Sequence, residues 1–447
     1  MPADPNDLDL LNDLLARAKA AGAEAADAVM VHSTSLSHAR RLGELERLER
    51  AESSDLGLRV LLGKQQAVVS STDVTPAALA QLAEQAVAMA RSVPEDPYCG
   101  LAEAEEIARE IPELEICDTD EPAPELLIER ASLCEDAARA VPGITNSEGA
   151  EAGWSMSRVS LAASNGFTGG YAGSSHSVGV AVLAGEGAGM ERDYDYSSVV
   201  YGADLEDPAE IGRQAGEKTV KRLDPRKPGT GKYPVVFDPR VANGLLRHFA
   251  GAINGTAIAR GTSFLKDAMG ETVFAEGITI VDDPHRARGL RSKPFDGEGL
   301  ANSRRNLVEA GVLKTWVLDL RSARQLGLAS TGHAARGTSS PPSPATTNLY
   351  MEAGPQSPED LIGEVEEGLY VTEMMGMGIN MVTGDYSRGA AGFWIEKGEL
   401  TYPVSELTVA GNMKDMFRAL TPASDLAFRY GVNAPTLRID GMTVAGS

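Results

Sequence analysis

Residues 375–404 read MGMGINMVTGDYSRGAAGFWIEKGELTYPV, and their second half decides the fold class. Phe393-Trp394-Ile395-Glu396 is a β-type run, Lys397-Gly398 a turn pair, and Leu400-Thr401-Tyr402 the returning run. Two β-rich runs joined through a Gly-containing pair specify a hairpin. Ahead of it stand Gly376 and Gly378, then Thr383-Gly384-Asp385-Tyr386 and the small residues from Ser387 to Gly392. Glycine carries no Cβ, so such positions let another backbone come close. Ordinary turn chemistry is the competing reading of the same residues.

Around this hairpin the second half of the chain reads as short strands with few helices. Val235-Val236-Phe237, Ile278 to Val281, Val312 to Leu318 and Thr436 to Val444 are expected strands, and Pro239 to about Ile253 a helix. Gly332 to Pro344 has loop composition, and Ser357-Pro358-Glu359-Asp360 opens a helix. The pattern predicts a barrel-like or sandwich β domain. In the first half Leu11, Leu14, Leu15 and Ala18 share one face of a helix over 8–21 that Gly22 ends. Ala28 to Ser33 reads as a strand followed by a polar stretch to about Arg50. Leu56–Leu62 and Gln65–Ser70 form a hairpin around Gly63-Lys64. Thr75-Pro76 starts a second helix, residues 94–124 form a Pro- and Glu-rich connection, and Pro124 to Ala140 is helical. Ile144 to Leu183 is a meander turning at Asn165-Gly166, and Pro208 to Arg222 is a helix. The expected fold is α+β: residues 1–225 an antiparallel sheet layered with helices, residues 226–447 a β-barrel-like domain, with LDPRKPGTGKYP (223–234) as the linker.

Composition narrows the classes of function. The 447 residues are 43% hydrophobic, enough for buried cores, and no window approaches a transmembrane run. The acidic start MPADPNDLDLLNDLL lacks the basic region of a secretory signal, and the three cysteines, Cys99, Cys117 and Cys134, form no CxxC pair. A cytoplasmic location is the expectation. The net charge of −23 sets the chain against phosphate backbones, so direct nucleic-acid binding is not expected.

The strings DPRKPGTGKYPVVFDP (224–239), TTNLYMEAG (346–354), GINMVTGDYSRGAAGFWIEKGE (378–399), AGNM (410–413) and APTLRIDGMTVAG (434–446) resemble the TldE (PmbA) family. The resemblance implies the non-catalytic subunit of a TldD/TldE-type metalloprotease acting on unfolded peptides. Some members carry the name modulator of DNA gyrase. It implies a TldD-type partner that holds zinc and no cofactor in this chain, and it allows a homodimer when the partner is missing. Gly376, Gly378, Asn380, Thr383, Asp385, Gly389 and Gly392 then become the candidate positions for peptide or partner contact.

The residues themselves agree on where zinc chemistry is missing. A zinc protease needs ligands fixed on a rigid element, typically two histidines one helical turn apart with a glutamate base. The resemblance implies HExxxH plus a distant cysteine in the active subunit. Here the helix reads GLLRHFAGAIN (244–254): His248 has no adjacent glutamate and no second histidine, and Leu426 to Pro435 holds no cysteine. Asp282, Asp283, Asp296 and Glu298 are the one carboxylate concentration. They suit either a hard cation or the capping of backbone N–H groups. No G-x-S-x-G string occurs, and Ser174-Ser175-His176 are merely neighbours in sequence. A stand-alone peptidase with another site, and a regulatory binding protein, remain as rival readings.

Overall fold

The computed structural model describes residues 4–376 and 378–446. Helix α1 (Pro5–Ala21) buries Leu11, Leu14, Leu15 and Ala18. Asp4 accepts the Asn6 N–H at its start, and Gly22, at φ 109°, ends it. Strands β1 (Ala25–Arg41), β2 (Glu44–Leu62) and β3 (Gln65–Ser71) follow, then α2 (Pro76–Ala90), whose first free N–H groups Thr75 caps. After an irregular connection come α3 (Pro124–Arg139), β4 (Ile144–Ala163), β5 (Thr168–Ala184), β6 (Glu191–Val199) and α4 (Pro208–Lys221). The strands form one antiparallel sheet in the order β3-β2-β1-β4-β5-β6.

Alternation along β1 sorts its contacts. Ala26, Ala28 and Met30 pack with α1 and α2, Leu36 joins the cluster under α3 and α4, and Val29 faces the other way, into the cluster holding Phe167 and Phe295. One expectation needs correcting. The strand expected over 28–33 runs to Arg41, and the polar stretch to Arg50 is strand as well. Residues 44–54 of β2 form the outer edge beside β1 and are exposed on both faces, so no hydrophobic alternation marks them.

The second half is built on β7 (Gly231–Phe237), α5 (Pro239–Ala252), β8 (Glu367–Met375), β9 (Asp385–Glu396), β10 (Glu399–Asn412) and β11 (Leu437–Ala445). They pair in the order β10-β9-β8-β7-β11, and β11 pairs back onto β10, closing a five-stranded barrel. Only β7 and β8 run parallel within it. The predicted hairpin turn is present: Lys397 and Gly398 take φ 53° and 80°, the left-handed pair that a two-residue hairpin turn needs. The main core gathers Phe237, Leu245, Leu246, Phe249, Phe274 and Phe417, with Phe274 and Phe417 stacked at 4.3 Å. The strand expected over 312–318 shrinks to Val312–Leu313. Thereafter Asp319 caps the Ser322 N–H of a short helix, Leu320–Leu326. The 332–344 loop contains a small ladder, Ala334–Ala335 against Ser343–Pro344.

Candidate functional site

Strand β6 is an edge of the first sheet, and its sequence Asp193-Tyr194-Asp195-Tyr196 alternates. Both aspartates are buried, while both tyrosines stay exposed. Asp193 accepts the Tyr194 N–H at 2.8 Å, and Asp195 accepts the Tyr196 N–H at 2.9 Å. The edge thus has its amides met by its own side chains instead of by another strand. Cations from three elements then hold those carboxylates. Arg240, on the first turn of α5, donates to Asp193 at 2.7 and 3.0 Å, and Arg222, just after α4, approaches it at 3.5 Å. Lys218 of α4 reaches Asp195 at 2.7 Å. Arg429 donates to the Tyr196 carbonyl at 3.2 Å and to Glu206 at 2.9 Å. Burial alone would raise the Asp193 carboxyl, but the bound Arg240 guanidinium, with Arg222 behind it, holds it below the usual carboxylate range.

A groove follows this edge where the first sheet meets the barrel. One part, of about 660 Å³, is lined among others by Tyr194, Tyr196, Arg240, Tyr370, Phe393 and Tyr430. A second, of about 320 Å³, lies against Ser197 to Val200 with Arg288 and Phe428, and the two share Arg429 and Tyr430 as walls. Aromatic residues make up only 5% of the chain. Yet the exposed ones among the described residues, Tyr194, Tyr196 and Phe428, all line this groove. Tyr196 stacks on Tyr194 with centroids 6.2 Å apart and lies 5.8 Å from Tyr430. A trench along a strand edge, floored by aromatic rings, suits an extended peptide better than a compact ligand. Sequence reading missed it, because its walls come from residues 193–206, 218–221, 238–240, 286–290, 348, 370–403 and 425–434.

The α5 helix lies where predicted, but its surroundings do not fit a metal. The His248 ring meets the Tyr386 ring edge-on at 6.0 Å, and its Nε2 is buried without a hydrogen-bond partner. Burial, then the neighbouring Arg388 guanidinium, lowers its pKa. A single imidazole faced by a cation cannot supply the three or four ligands zinc requires. Among the described residues no group of three or more His, Cys, Asp or Glu side chains is placed to hold a metal ion.

The sequence candidates around the hairpin come together, largely through contacts with one another. Asn380 Oδ1 accepts the Val382 and Thr383 N–H groups, Thr383 Oγ1 donates to Asp385 at 2.7 Å, and Asn412 donates to Asp385 at 3.1 Å. The backbone that approaches Gly378 and Gly392 is the chain's own. A Cβ on Gly378 would lie 1.4 Å from the Ser387 carbonyl oxygen, and one on Gly392 only 1.9 Å from that of Tyr370. Gly376 (φ 77°) is open, and a Cβ on Gly389 would lie 3.3 Å from Met375 Cβ.

The acidic residues are met by protein donors. Asp282 accepts from Thr347 N and Oγ1 at 2.7 and 2.6 Å and lies 3.2 Å from His333 Nε2. Asp283 accepts from His285 N, Asp296 from the N–H groups of Glu298, Leu300 and Ala334, and Glu298 from Leu320 N. Capping of N–H groups accounts for them. Ser174 Oγ donates to the Val200 carbonyl and accepts the Asp118 N–H, and Ser175 Oγ pairs with Ser155. Neither is set up as a nucleophile against His176, which contacts Asp118.

With this geometry in hand, similarity to known proteins becomes informative. Family models described as PmbA/TldA metallopeptidase domain 1, central domain and C-terminal domain match residues 26–90, 117–223 and 230–446. The Metalloprotease PmbA of Escherichia coli O157:H7 is 39% identical over 97% of this chain and 94% of its own length. The chain belongs to the PmbA/TldD metallopeptidase family. A Bacteroides thetaiotaomicron crystal structure carrying the name modulator of DNA gyrase superposes with a TM-score of 0.91, at 28% identity, covering 99% of this chain and all of that one. TldE from Thermococcus kodakarensis shares the fold, with a TM-score of 0.88 at 21% identity, covering 98% of this chain and all of its own.

Proposed function

We propose that this chain is the subunit without metal in a TldD/TldE-type protease, and that the groove along β6 holds an extended stretch of an unfolded peptide. The observation that carries the reading is the pairing of a metallopeptidase fold with an α5 helix whose lone histidine faces Arg388. Zinc and the polarised scissile carbonyl belong in this reading to the partner, a TldD-type chain. This chain contributes peptide contacts, from the aromatic floor of the groove and from the hairpin loop around Asn380, Thr383 and Asp385. The experiment is cleavage of an unstructured peptide by this chain alone, by the partner alone and by their mixture, with zinc measured in each after dialysis. Cleavage only by the mixture, with zinc only in the partner, is the expected result. Cleavage by this chain alone, or about one zinc tightly held per chain, would sink the reading.

A further inference from the structure

Most of the outward edge of β6 is closed. Asp193 and Asp195 take the N–H groups of Tyr194 and Tyr196, and Arg429 takes the Tyr196 carbonyl. In an antiparallel strand the N–H and C=O of every second residue point to the same side, so Ser198 is the next to face outward. Among the described residues no loop or side chain bonds to its N–H or C=O. Ser198 lines the smaller part of the groove, of about 320 Å³. There the edge is open to another backbone.

The cations along the groove divide in the same way. Lys218, Arg240 and Arg429 are bound to Asp195, Asp193 and Glu206. Arg288 is held by Asp204 at 2.8 Å and by Glu115 at 3.2 Å. Arg286 lines the same part of the groove as Ser198 and is half-buried, yet it pairs with no carboxylate among the described residues. Its guanidinium carbon stands 3.2 Å from the centroid of the Phe428 ring, which meets Tyr350 edge-on at 5.1 Å. Its backbone is pinned as well: the Arg286 carbonyl accepts the Ser292 hydroxyl at 2.7 Å and the Gly289 N–H at 3.1 Å. A guanidinium stacked flat on a ring keeps its N–H edge free, and that edge matches a carboxylate with two parallel hydrogen bonds. In a chain of net charge −23, an arginine left without a carboxylate beside an open strand edge marks the place of an acidic ligand.

On the reading of the groove as a peptide site, we infer that its Ser198–Arg286 end receives a carboxylate of the bound peptide. The peptide backbone pairs with Ser198, and the carboxylate sits on the Arg286 fork. A peptide offers that group at its C-terminus or on an Asp or Glu side chain, and the fork accepts either.

Fluorescence anisotropy with the full chain alone, which on this reading does not cut peptides, tests the assignment. Three labelled unstructured peptides share one sequence free of acidic residues. The first ends in a free carboxylate, the second in an amide, and the third in an amide with one glutamate added. At least one acidic peptide should bind about 10-fold more tightly than the plain amide. Tightening by the first assigns the terminal carboxylate, and tightening by the third alone assigns a side chain. Arg286→Gln should bring the acidic peptides to the level of the plain amide and leave the amide itself unchanged. Ser198→Pro removes the open N–H without touching the β5 ladder and should weaken all three about equally. Melting temperatures within a few degrees of the parent check that both variants fold. Three peptides that bind alike, or an Arg286→Gln variant that weakens all of them equally, would overturn the assignment. If Tyr194→Ala with Tyr196→Ala still weakened binding in that case, the groove would keep its peptide and lose only this anchor. Peptide binding indifferent to the tyrosine, serine and arginine variants alike would remove both.

Discussion

At the residue scale the structure changes what the glycines mean. Gly378 and Gly392 read from sequence as openings for another chain's backbone, yet Ser387 and Tyr370 of the same chain fill them. Gly392→Ala is therefore expected to destabilise the fold by about 3 kcal/mol through overpacking in the barrel, measured by chemical denaturation. Gly389, where a Cβ would meet nothing closer than Met375 Cβ at 3.3 Å, should tolerate alanine far better. Glu298 makes a second test. Burial, then the Asp296 charge, pushes its carboxyl up to about 8. Its folded pKa lies above its unfolded one, so its contribution is full below the unfolded value and is lost as pH rises through about 8. Glu298→Gln keeps an acceptor for the Leu320 N–H and cannot ionise. Its melting temperature should match the parent near pH 5 and exceed it increasingly toward pH 8. A constant difference across that range would show that Glu298 does not titrate there.

At the scale of elements, what the sequence made legible was local chemistry. The caps at Thr75 and Ser357, the turns at Asn165-Gly166 and Lys397-Gly398, and the buried stripe of α1 all rest on residues within one or two turns of one another. Two kinds of feature were illegible for physical reasons. The first part of β2, residues 44–54, has solvent on both faces, which erases the period-two signal of a strand. The groove joins β6 and α5 with the 425–434 segment, so no window of sequence contains it; only the Asp-Tyr alternation of 193–196 hinted at an edge. If the groove receives a peptide, Tyr194→Ala with Tyr196→Ala should weaken binding of an unstructured peptide about 30-fold, since each ring contributes roughly 1 kcal/mol. Both rings are exposed, so the melting temperature should hold within a few degrees. Anisotropy of a labelled peptide with the assembled subunits measures it, and unchanged affinity would remove β6 from the peptide's path.

At the scale of the whole molecule, electrostatics decides how the gyrase name carried by a structural neighbour can be read. Binding to duplex DNA is driven by cations that displace condensed counterions, so it needs a basic face. This chain carries 64 acidic against 41 basic residues. The arginines that gather most densely, Arg222, Arg240 and Arg429, are spent on Asp193, Asp195, Glu206 and Glu373, where they tie the first sheet to the barrel. Arg59 and Arg336 are likewise committed to the buried Asp27. No helix among the described residues is long and apolar enough to cross a membrane. The long-range field is set by the excess of acidic residues, a net charge of −23. A short duplex should therefore bind more weakly than about 100 µM at physiological salt, the weak end of non-specific association. Lowering the salt should strengthen it little, because few phosphates would be neutralised. Fluorescence anisotropy across a salt series reads both quantities. Micromolar affinity with a steep salt slope would mean that a basic surface forms in some other arrangement of these chains, and the charge argument against direct DNA contact would fail.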